Sequence, residues 1–406
     1  MNFSTPTRTK KVQSAVIAVL VTGSMLVTGS AASNAAAAVK TGAACSTSAA
    51  IATSTTGKTV TCKSKKWTEY KAASLTFAIA SAAFSPKEEF ATYAVPKQLG
   101  YQAAENLTVT AVPSGGSIDV VNIVSAGRAD IGAADLGSAM QGIEKNANIS
   151  IIGGLVTNFP WKIAVDPTKS IKTAADLKGK KIGIIGFGSG SYPYTKAWLA
   201  GYGLKESDVT LVATGTAIAP ATLQLQSGAV DAIAYYTAVY ASQEFTGTKF
   251  RYLPNPAALT GVQSLAWVVN TDKFEANPEV FERFLRTANK GLVFSSQNVK
   301  AATLLGYKEL PATLAGSTVE AKLPAGMAGL KAWLTSATPL TGKPVTWSTL
   351  GTITKANWAK TQAYTAAAGT IVTGIDLVDW LDASLIKRAN TYDRAAIVAA
   401  ADKRPK

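Results

Sequence analysis

Residues 177–204 read LKGKKIGIIGFGSGSYPYTKAWLAGYGL and join a strand pattern to a helix pattern through a glycine and serine loop. The apolar run IGII at 182–185 predicts a buried strand, and residues 192–203 predict a helix. Such a loop presents backbone N–H groups and the positive end of a helix dipole to one point. The stretch therefore predicts an α/β fold and a cradle for an anion or a phosphate group.

The glycine spacing of this loop does not match the motifs of nucleotide-binding proteins or hydrolases. A dinucleotide fingerprint that starts at Gly186 and Gly188 needs a third glycine where Ser191 stands. A P-loop needs a lysine after its last glycine, and this lysine is missing. A nucleophile elbow needs glycines two residues before and two residues after the serine, and these glycines are missing as well. What remains is a cradle in which Gly188 and Gly190 offer N–H groups. Ser189 and Ser191 add hydroxyls, and the alternative is an ordinary turn with one serine as a helix cap.

The first 38 residues have the pattern of an export signal. Arg8, Lys10 and Lys11 precede the apolar run VQSAVIAVLVTGSMLV at 12–27, and small residues follow it. This order predicts a secretory signal peptide over 1–38 and an exported protein on the cell surface or in the periplasm. The alternative is an uncleaved membrane anchor, although the run is short and is interrupted by Gly and Ser.

The composition is that of a globular and basic chain. Apolar residues make up 47% and charged residues 16% of the 406 residues, which is enough for two lobes. Lys and Arg exceed Asp and Glu by 40 − 25 = 15 charges, and loss of the signal leaves 15 − 3 = 12. This charge favours an anionic cell wall or membrane surface. The lysines are scattered and the chain is exported, so no nucleic-acid partner is predicted.

The chain contains no histidine. This absence excludes histidine general acid–base catalysis, the Ser-His-Asp triad and histidine-ligated metal sites. The sequence therefore predicts a protein that is not an enzyme and that has neither a cofactor nor a metal site.

Cys45 and Cys62 are the two cysteines, and both lie just after the predicted signal. In an oxidising compartment they are expected to form one disulfide. The alternative is lipidation of Cys45, but Gly42 stands where a lipoprotein motif has leucine. Residues 39–72 are predicted to be either a small hairpin stapled by the cysteines or a pinned linker.

From residue 73 onward, strand and helix patterns alternate. Residues 75–80 predict a buried strand, and 86–99 predict a helix with Ser85 as its N-cap and Pro86 as its first residue. The same alternation starts again near residue 171. Regular alternation of this kind favours parallel or mixed sheets that are flanked by helices.

Two runs of similar size predict two lobes. The segments TNFPWKIAVD at 157–166 and SLAWVVNTDKF at 264–274 are the predicted crossovers between them. The predicted ranges are 73–163 and 271–400 for lobe I, 164–270 for lobe II and 401–406 for a tail.

Four segments resemble substrate-binding proteins of ABC importers, of the nitrate, sulfonate, taurine and thiamine-precursor type. They are AVPKQLGYQAAENLTVTAVPSGGSIDVVNIVSAGRADIGAADL at 94–136, IKTAADLKGKKIGIIGFGSGSYPYTKAWLAGYGLKESDVTLV at 171–212, LQLQSGAVDAIA at 223–234 and the tail at 373–401. Asn106 departs from the family pattern, which has glycine there. The resemblance implies a two-lobed, periplasmic-binding-protein-like type II fold with the ligand in the interlobe cleft. It also implies a monomer with a small-molecule solute and with ABC permease and ATPase subunits as its partners.

Ligands of open α/β sheets bind beyond the carboxyl ends of the strands. The predicted ligand-binding residues come from loops at those ends, and they are Ser81, Phe84, Ser114, Gly115, Gly116, Asp135, Asn158, Gly188, Ser189, Gly190, Ser191, Tyr235, Tyr236 and Trp267. Asp135 would pair with an amine or an aminopyrimidine, and its alternative role is that of a helix N-cap. Core packing is the alternative for each aromatic residue.

The predicted function is capture of a small solute, such as a sulfonate, nitrate, a taurine-like compound or a pyrimidine, by hinge closure of the two lobes. One alternative is a wall-attached sensor or adhesion protein. The other is a pyrimidine-synthase-like enzyme on the same scaffold, although that enzyme type consumes its own histidine and this chain has none.

Overall fold

The computed structural model describes residues 37–369 and 383–406. The predicted signal peptide lies outside the described residues except for positions 37 and 38, and part of the tail at 370–382 also lies outside them. Within the described ranges, no helix is both long and apolar enough to span a bilayer.

The described strands form three separate sheets. In chain order they are β1 (Ile51–Thr53), β2 (Thr59–Lys63), β3 (Lys66–Glu69), β4 (Ala73–Ile79), β5 (Leu107–Pro113), β6 (Ile131–Asp135), β7 (Ile149–Gly154), β8 (Trp161–Val165), β9 (Lys181–Ile184), β10 (Thr210–Ala213), β11 (Ala232–Tyr236), β12 (Arg251–Leu253) and β13 (Leu265–Asn270).

Helices cover both larger sheets. In chain order they are α1 (Val95–Gln98), α2 (Tyr101–Ala104), α3 (Ser117–Ser125), α4 (Leu136–Glu144), α5 (Ser191–Ala200), α6 (Ile218–Ser227), α7 (Thr237–Phe245), α8 (Thr271–Ala276), α9 (Pro278–Gln297), α10 (Val299–Glu309), α11 (Val319–Ala337), α12 (Lys355–Ala367), α13 (Ala383–Ala389) and α14 (Arg394–Asp402).

The first lobe is built on the sheet with strand order β5-β4-β6-β13-β7. β4 pairs in parallel with β5 and β6, whereas β13 runs antiparallel to β6 and β7. Apolar side chains of β4 are buried on both faces, which is the pattern of a strand covered by helices on each side. Phe77, Trp267 and Phe284 form the centre of the core, and the ring centroids of Phe77 and Trp267 lie 5.6 Å apart.

The second lobe is built on the sheet with strand order β10-β9-β11-β8-β12. β9, β10 and β11 are parallel, and β8 runs antiparallel to β11 and β12. Trp198 and Tyr194 of α5 are fully buried against this sheet. The fold class predicted from the alternating patterns, mixed sheets flanked by helices, is confirmed.

The chain crosses between the two larger sheets twice. It passes to the second sheet over 155–160, between β7 and β8, and returns over 254–264, between β12 and β13. β13 therefore belongs to the first sheet, although the predicted range of lobe II, 164–270, includes it. In the sequence β13 simply follows β12, and only its pairing with β6 and β7 shows which sheet it joins.

Residues 37–69 contain a small three-stranded antiparallel sheet of β1, β2 and β3. The Cys45–Cys62 disulfide is present, so the expected pairing is confirmed. The Thr59 hydroxyl donates to Glu105 Oε1 at 2.8 Å, and Lys58 Nζ donates to Asn106 Oδ1 at 2.8 Å. The segment is thus a folded module that is anchored to the first lobe.

The helical segment predicted over 86–99 begins later than expected. Helical geometry starts at Glu88, and a π-helical turn over Phe90–Ala94 leads into α1. Ser85 is not an N-cap, because its hydroxyl donates to the Glu89 carboxylate at 3.4 Å instead of accepting a backbone N–H of the first helical turn. The later start leaves Lys87 and Glu88 at the edge of the first sheet, where they reach the site described below.

Candidate functional site

A cavity of about 60 Å³ lies between the two larger sheets. The first lobe, the start of the crossover that leaves it and the crossover that returns to it contribute Ala80, Ser81, Lys87, Glu88, Gly115, Ser117, Val156, Ser264, Leu265 and Trp333. The second lobe and the crossover that leads to it contribute Pro160, Trp161, Ile185, Ser189, Gly190, Thr216, Tyr236 and Thr237. At roughly 10–15 Å³ per water this space suits a solute of only a few heavy atoms.

Two glycine loops were predicted to bind the ligand. In the structure these two loops contact each other at the cavity. A Cβ atom added to Gly116 would lie 2.6 Å from the carbonyl oxygen of Gly188, and the φ angle of Gly116 is +143°. Any side chain at position 116 would therefore separate the loops. This contact between the lobes is what a closed cleft requires.

Three helices of at least nine residues begin at the cavity. Ser117 is the first residue of α3 and Thr237 the first of α7, and both line the space. Ser189 and Gly190 line it immediately before α5 starts. The partial positive charge at helix N-termini makes this arrangement favourable for an anion.

The two serines of the second loop have different roles. Ser191 is fully buried, and its hydroxyl accepts the backbone N–H of Ile185 at 3.0 Å. Ser189 lines the cavity, and its hydroxyl accepts the N–H of Ser191 at 3.3 Å. Ser191 thus holds the loop in shape, while Ser189 is the serine that lines the space.

Lys87, Glu88 and Glu89 form a buried ionic group beside the cavity, with exposures of 4%, 3% and 0%. Lys87 Nζ bonds the Glu88 carboxylate and lies 2.9 Å from Glu89 Oε2. Burial raises the pKa of Glu89 to about 7, although Lys87 lowers it. Burial alone would lower the pKa of Lys87, but the two carboxylates raise it above its ordinary value. Sequence reasoning missed this group because a Pro-Lys-Glu-Glu run resembles a solvated first turn of a helix.

Aromatic side chains form the walls of the cavity. Trp161 packs against Tyr236 at 5.5 Å and against Tyr194 at 5.9 Å between ring centroids. The indole N–H of Trp161 is buried and has no hydrogen-bond partner among the described residues. A buried donor without a partner carries a desolvation cost.

A comparison with known protein families shows to which family the chain belongs. A family described as NMT1/THI5 like matches residues 87–302, which is 216 of the 406 residues. The chain belongs to the NMT1/THI5-like family.

Three solved structures share the fold of this NMT1/THI5-like chain. A protein from Bordetella bronchiseptica RB50 is 20% identical with a TM-score of 0.63, and the match covers 78% of this chain and 97% of that one. The alkanesulfonate-binding protein SsuA from Xanthomonas axonopodis pv. citri, bound to MOPS, is 18% identical with a TM-score of 0.56, covering 77% and 99%. A Candida albicans protein with the generic periplasmic binding protein fold is 17% identical with a TM-score of 0.54, covering 79% and 96%. The likeness confirms the predicted periplasmic-binding-protein fold, type II.

Five of the predicted ligand-binding residues line the cavity of this NMT1/THI5-like chain, and they are Ser81, Gly115, Ser189, Gly190 and Tyr236. Burial raises the pKa of Tyr236 above its ordinary value, so its hydroxyl stays protonated and can donate. Four of these five come from loops at the carboxyl ends of strands and Tyr236 is the last residue of β11, as the fold rule requires. Their contact with a ligand stays a prediction.

Three predicted aromatic contacts lie away from the cavity. Trp267 is part of the first core, where its ring packs 5.3 Å from that of Phe284. The Tyr235 hydroxyl lies within the second lobe, where it donates to the carbonyl of Gly215 at 2.5 Å. Phe84 packs partly buried against the first core. In the structure these three aromatic residues therefore pack within the lobes, which was the alternative interpretation.

Two polar residues that were predicted to contact the ligand, Asn158 and Ser114, donate hydrogen bonds to backbone carbonyls of the protein. The Asn158 amide donates to the carbonyls of Thr335 and Thr338, at 2.9 Å and 3.1 Å, and so ties the first crossover to α11. The Ser114 hydroxyl donates to the carbonyl of Ile79 at 2.7 Å and ties the first glycine loop to β4.

Asp135 is 1% exposed and is not among the residues that line the cavity. Its carboxylate accepts the Gly137 N–H at 3.1 Å as the N-cap of α4, and it accepts the Ser264 hydroxyl at 3.4 Å. Burial raises the pKa of Asp135 to about 7. The cap role is thus observed, and binding of a ligand by Asp135 stays a prediction. In the described ranges, no group of three or more Cys, Asp or Glu side chains is arranged to hold a metal ion.

Proposed function

We propose that this protein is the extracytoplasmic solute-binding component of an ABC importer. Its cavity holds a small solute between the lobes, the crossovers at 155–160 and 254–264 act as the hinge, and the closed form delivers the solute to a membrane permease whose ATPase subunits supply the energy. The observation that carries this proposal is the cavity itself, which is built from both lobes and bounded by two loops in contact. The protein acts as a monomer and carries out no reaction.

The cavity favours a small oxyanion. The N-termini of α3, α5 and α7 meet there, and the free indole N–H of Trp161 adds a neutral donor. Oriented N–H donors of this kind stabilise a sulfonate, nitrate or carboxylate group without a dedicated cation. The alkanesulfonate-binding neighbour supports the same class of solute.

The buried ionic group favours a solute that also carries a positive charge. The charge of Lys87 is already matched by the carboxylates of Glu88 and Glu89, and Glu88 lines the cavity. A carboxylate on the wall attracts an ammonium group, while the helix N-termini hold the oxyanion. A taurine-like zwitterion fits both features, with its short apolar body against Trp161 and Trp333.

Titration calorimetry of the exported protein with taurine, nitrate and hydroxymethyl-aminopyrimidine tests this assignment. Taurine is expected to bind most tightly and to change the intrinsic fluorescence, because Trp161 and Trp333 line the cavity. Tighter binding of the aminopyrimidine would contradict the zwitterion. The absence of heat or thermal shift with these solutes and with a metabolite panel would overturn the transport function.

A further inference from the structure

The turn between β2 and β3 concentrates three exposed lysines. Lys63, Ser64, Lys65 and Lys66 form this turn, and all four are exposed. We call them the basic tip. The module over 37–69 contains five lysines and one glutamate, so its formal charge is 5 − 1 = +4.

The arrangement of the basic tip is unfavourable for folding. Lys63 and Lys66 are directly opposite each other in the antiparallel pair, where like charges repel. Ser64 and Lys65 occupy the turn with φ angles of 53° and 61°, a conformation that glycine or asparagine adopts more easily than lysine. None of the ion pairs among the described residues involves Lys63, Lys65 or Lys66. The positive charge of the basic tip is therefore not balanced by an ion pair with any described residue.

The module holds the basic tip in a defined position. The Cys45–Cys62 disulfide ends one residue before the basic tip begins. On the other side of the module, Thr59 bonds the buried carboxylate of Glu105, which also pairs with Arg286 at 2.9 Å. A charged group that is held on a rigid support loses little conformational entropy when it binds.

We propose that the basic tip docks the protein on a membrane surface of anionic lipids. A convex two-residue turn has no groove that could follow a polymer backbone, but it can approach a planar surface with all three lysines. Lysines close to an anionic bilayer each strengthen binding by about 1 kcal/mol, which is a factor of roughly five. The inference stands independently of the solute that the cavity holds.

Co-sedimentation of the exported protein with phosphatidylglycerol-containing vesicles tests this docking. The variant Lys63→Gln/Lys65→Gln/Lys66→Gln is expected to reduce partitioning by about 100-fold, since three lysines each contribute a factor of roughly five. The matched control Lys178→Gln/Lys180→Gln/Lys181→Gln removes the same charge from exposed lysines of the second lobe and is expected to leave most of the binding. Binding of the unaltered protein is expected to weaken as salt is added and to be absent on pure phosphatidylcholine.

Three outcomes would overturn the proposal. Equal losses in the two triple variants would show that only net charge matters. Absence of binding of the unaltered protein to the anionic vesicles would exclude lipid docking. Tip-dependent binding to soluble polyphosphate that exceeds binding to vesicles would assign the basic tip to an anionic polymer. Thermal unfolding and solute calorimetry check that both variants are folded and still bind solute.

Discussion

Individual polar residues around the cavity differ in whether the protein itself satisfies their hydrogen bonds. Ser191, Asn158 and Asp135 have partners within the protein and maintain the framework. Trp161 and Glu88 line the cavity, and the indole N–H of Trp161 has no partner among the described residues. Solute affinity should therefore depend on Trp161 and Glu88. Stability should depend on Ser191, Asn158 and Asp135.

Trp161→Phe tests the free indole donor. The substitution keeps an aromatic wall beside Tyr236 but removes the N–H, so the affinity for an oxyanion should fall roughly 10- to 100-fold. Titration calorimetry measures the change. Trp67→Phe, in the N-terminal module, is the control and should bind like the unaltered protein. Equal affinities for Trp161→Phe and the unaltered protein would show that the indole N–H does not contact the solute.

Asp135→Asn tests the effect of a buried carboxyl on stability. The pKa of Asp135 rises from its ordinary value of 3.8 to about 7 in the folded protein, because burial disfavours the ionised form. Between these pH values the unfolded chain has lost the proton and the folded protein keeps it, so stability falls as the pH rises. Asparagine caps helices as well as aspartate does, so the substitution removes only the titration.

The measurement is urea unfolding of both proteins across this pH range. Relative to Asp135→Asn, the unaltered protein should lose roughly 2–4 kcal/mol of unfolding free energy between about pH 4 and pH 7. Parallel pH profiles would mean that Asp135 ionises normally in the folded protein.

At the scale of elements, the loops before α3 and α5 determine how closely the lobes approach. The loop before α3 needs glycine at 116, because the backbone of the other loop occupies the space of a side chain. The loop before α5 is shaped by Ser189 and Ser191, whose hydroxyls accept backbone N–H groups of the same loop. The proposed closure of the cleft would therefore depend on backbone contacts that a single Cβ atom can prevent.

Gly116→Ala is expected to keep the cleft open. Its Cβ would lie 2.6 Å from the Gly188 carbonyl, and its φ of +143° disfavours any side chain. Solute affinity should fall at least 10-fold, because closure no longer brings both lobes onto the solute. Calorimetry gives the affinity, and small-angle scattering should show a larger radius of gyration with solute than the unaltered protein has.

Gly188→Ala is the matched control from the opposite loop. A Cβ at position 188 would meet no atom within 4 Å, so this variant should close and bind normally. Similar losses in Gly116→Ala and Gly188→Ala would indicate a general loss of loop flexibility instead of a blocked contact.

At the scale of the whole molecule, the N-terminal module and the two lobes have separate tasks. The module bonds the first lobe through Lys58 and Thr59, and none of its residues lines the cavity. Its basic tip is proposed to meet a membrane, and solute capture is proposed for the lobes. Changes in the module should therefore affect its own stability and leave solute affinity intact.

Cys45→Ser/Cys62→Ser tests this separation. The two cysteines are 17 residues apart, and loss of a cross-link over such a loop costs about 3 kcal/mol. The module should become sensitive to limited proteolysis between β1 and β3, whereas calorimetry should show unchanged solute affinity. A large loss of affinity would show that the module supports the cavity.

Much of the fold could be predicted because periodicity is a local property. The apolar strands β4 and β9 and the helix patterns that follow them indicated a two-lobed α/β fold, whereas the binding role was implied by the resemblance to substrate-binding proteins. The rule that ligands bind beyond the carboxyl ends of strands also placed Ser81 and Gly190 at the cavity.

The sequence by itself determined the α/β class, the disulfide of Cys45 and Cys62, and the loops from which a site could be built, because each depends on local pattern or on residue type. The tertiary structure alone decided that β13 returns to the first sheet, since strand pairing joins segments that are distant in the chain. It likewise decided that Lys87 and Glu88 are buried at the cavity and that the indole N–H of Trp161 has no partner among the described residues. Burial and hydrogen-bond satisfaction depend on neighbours from the other lobe, and no local pattern contains those neighbours.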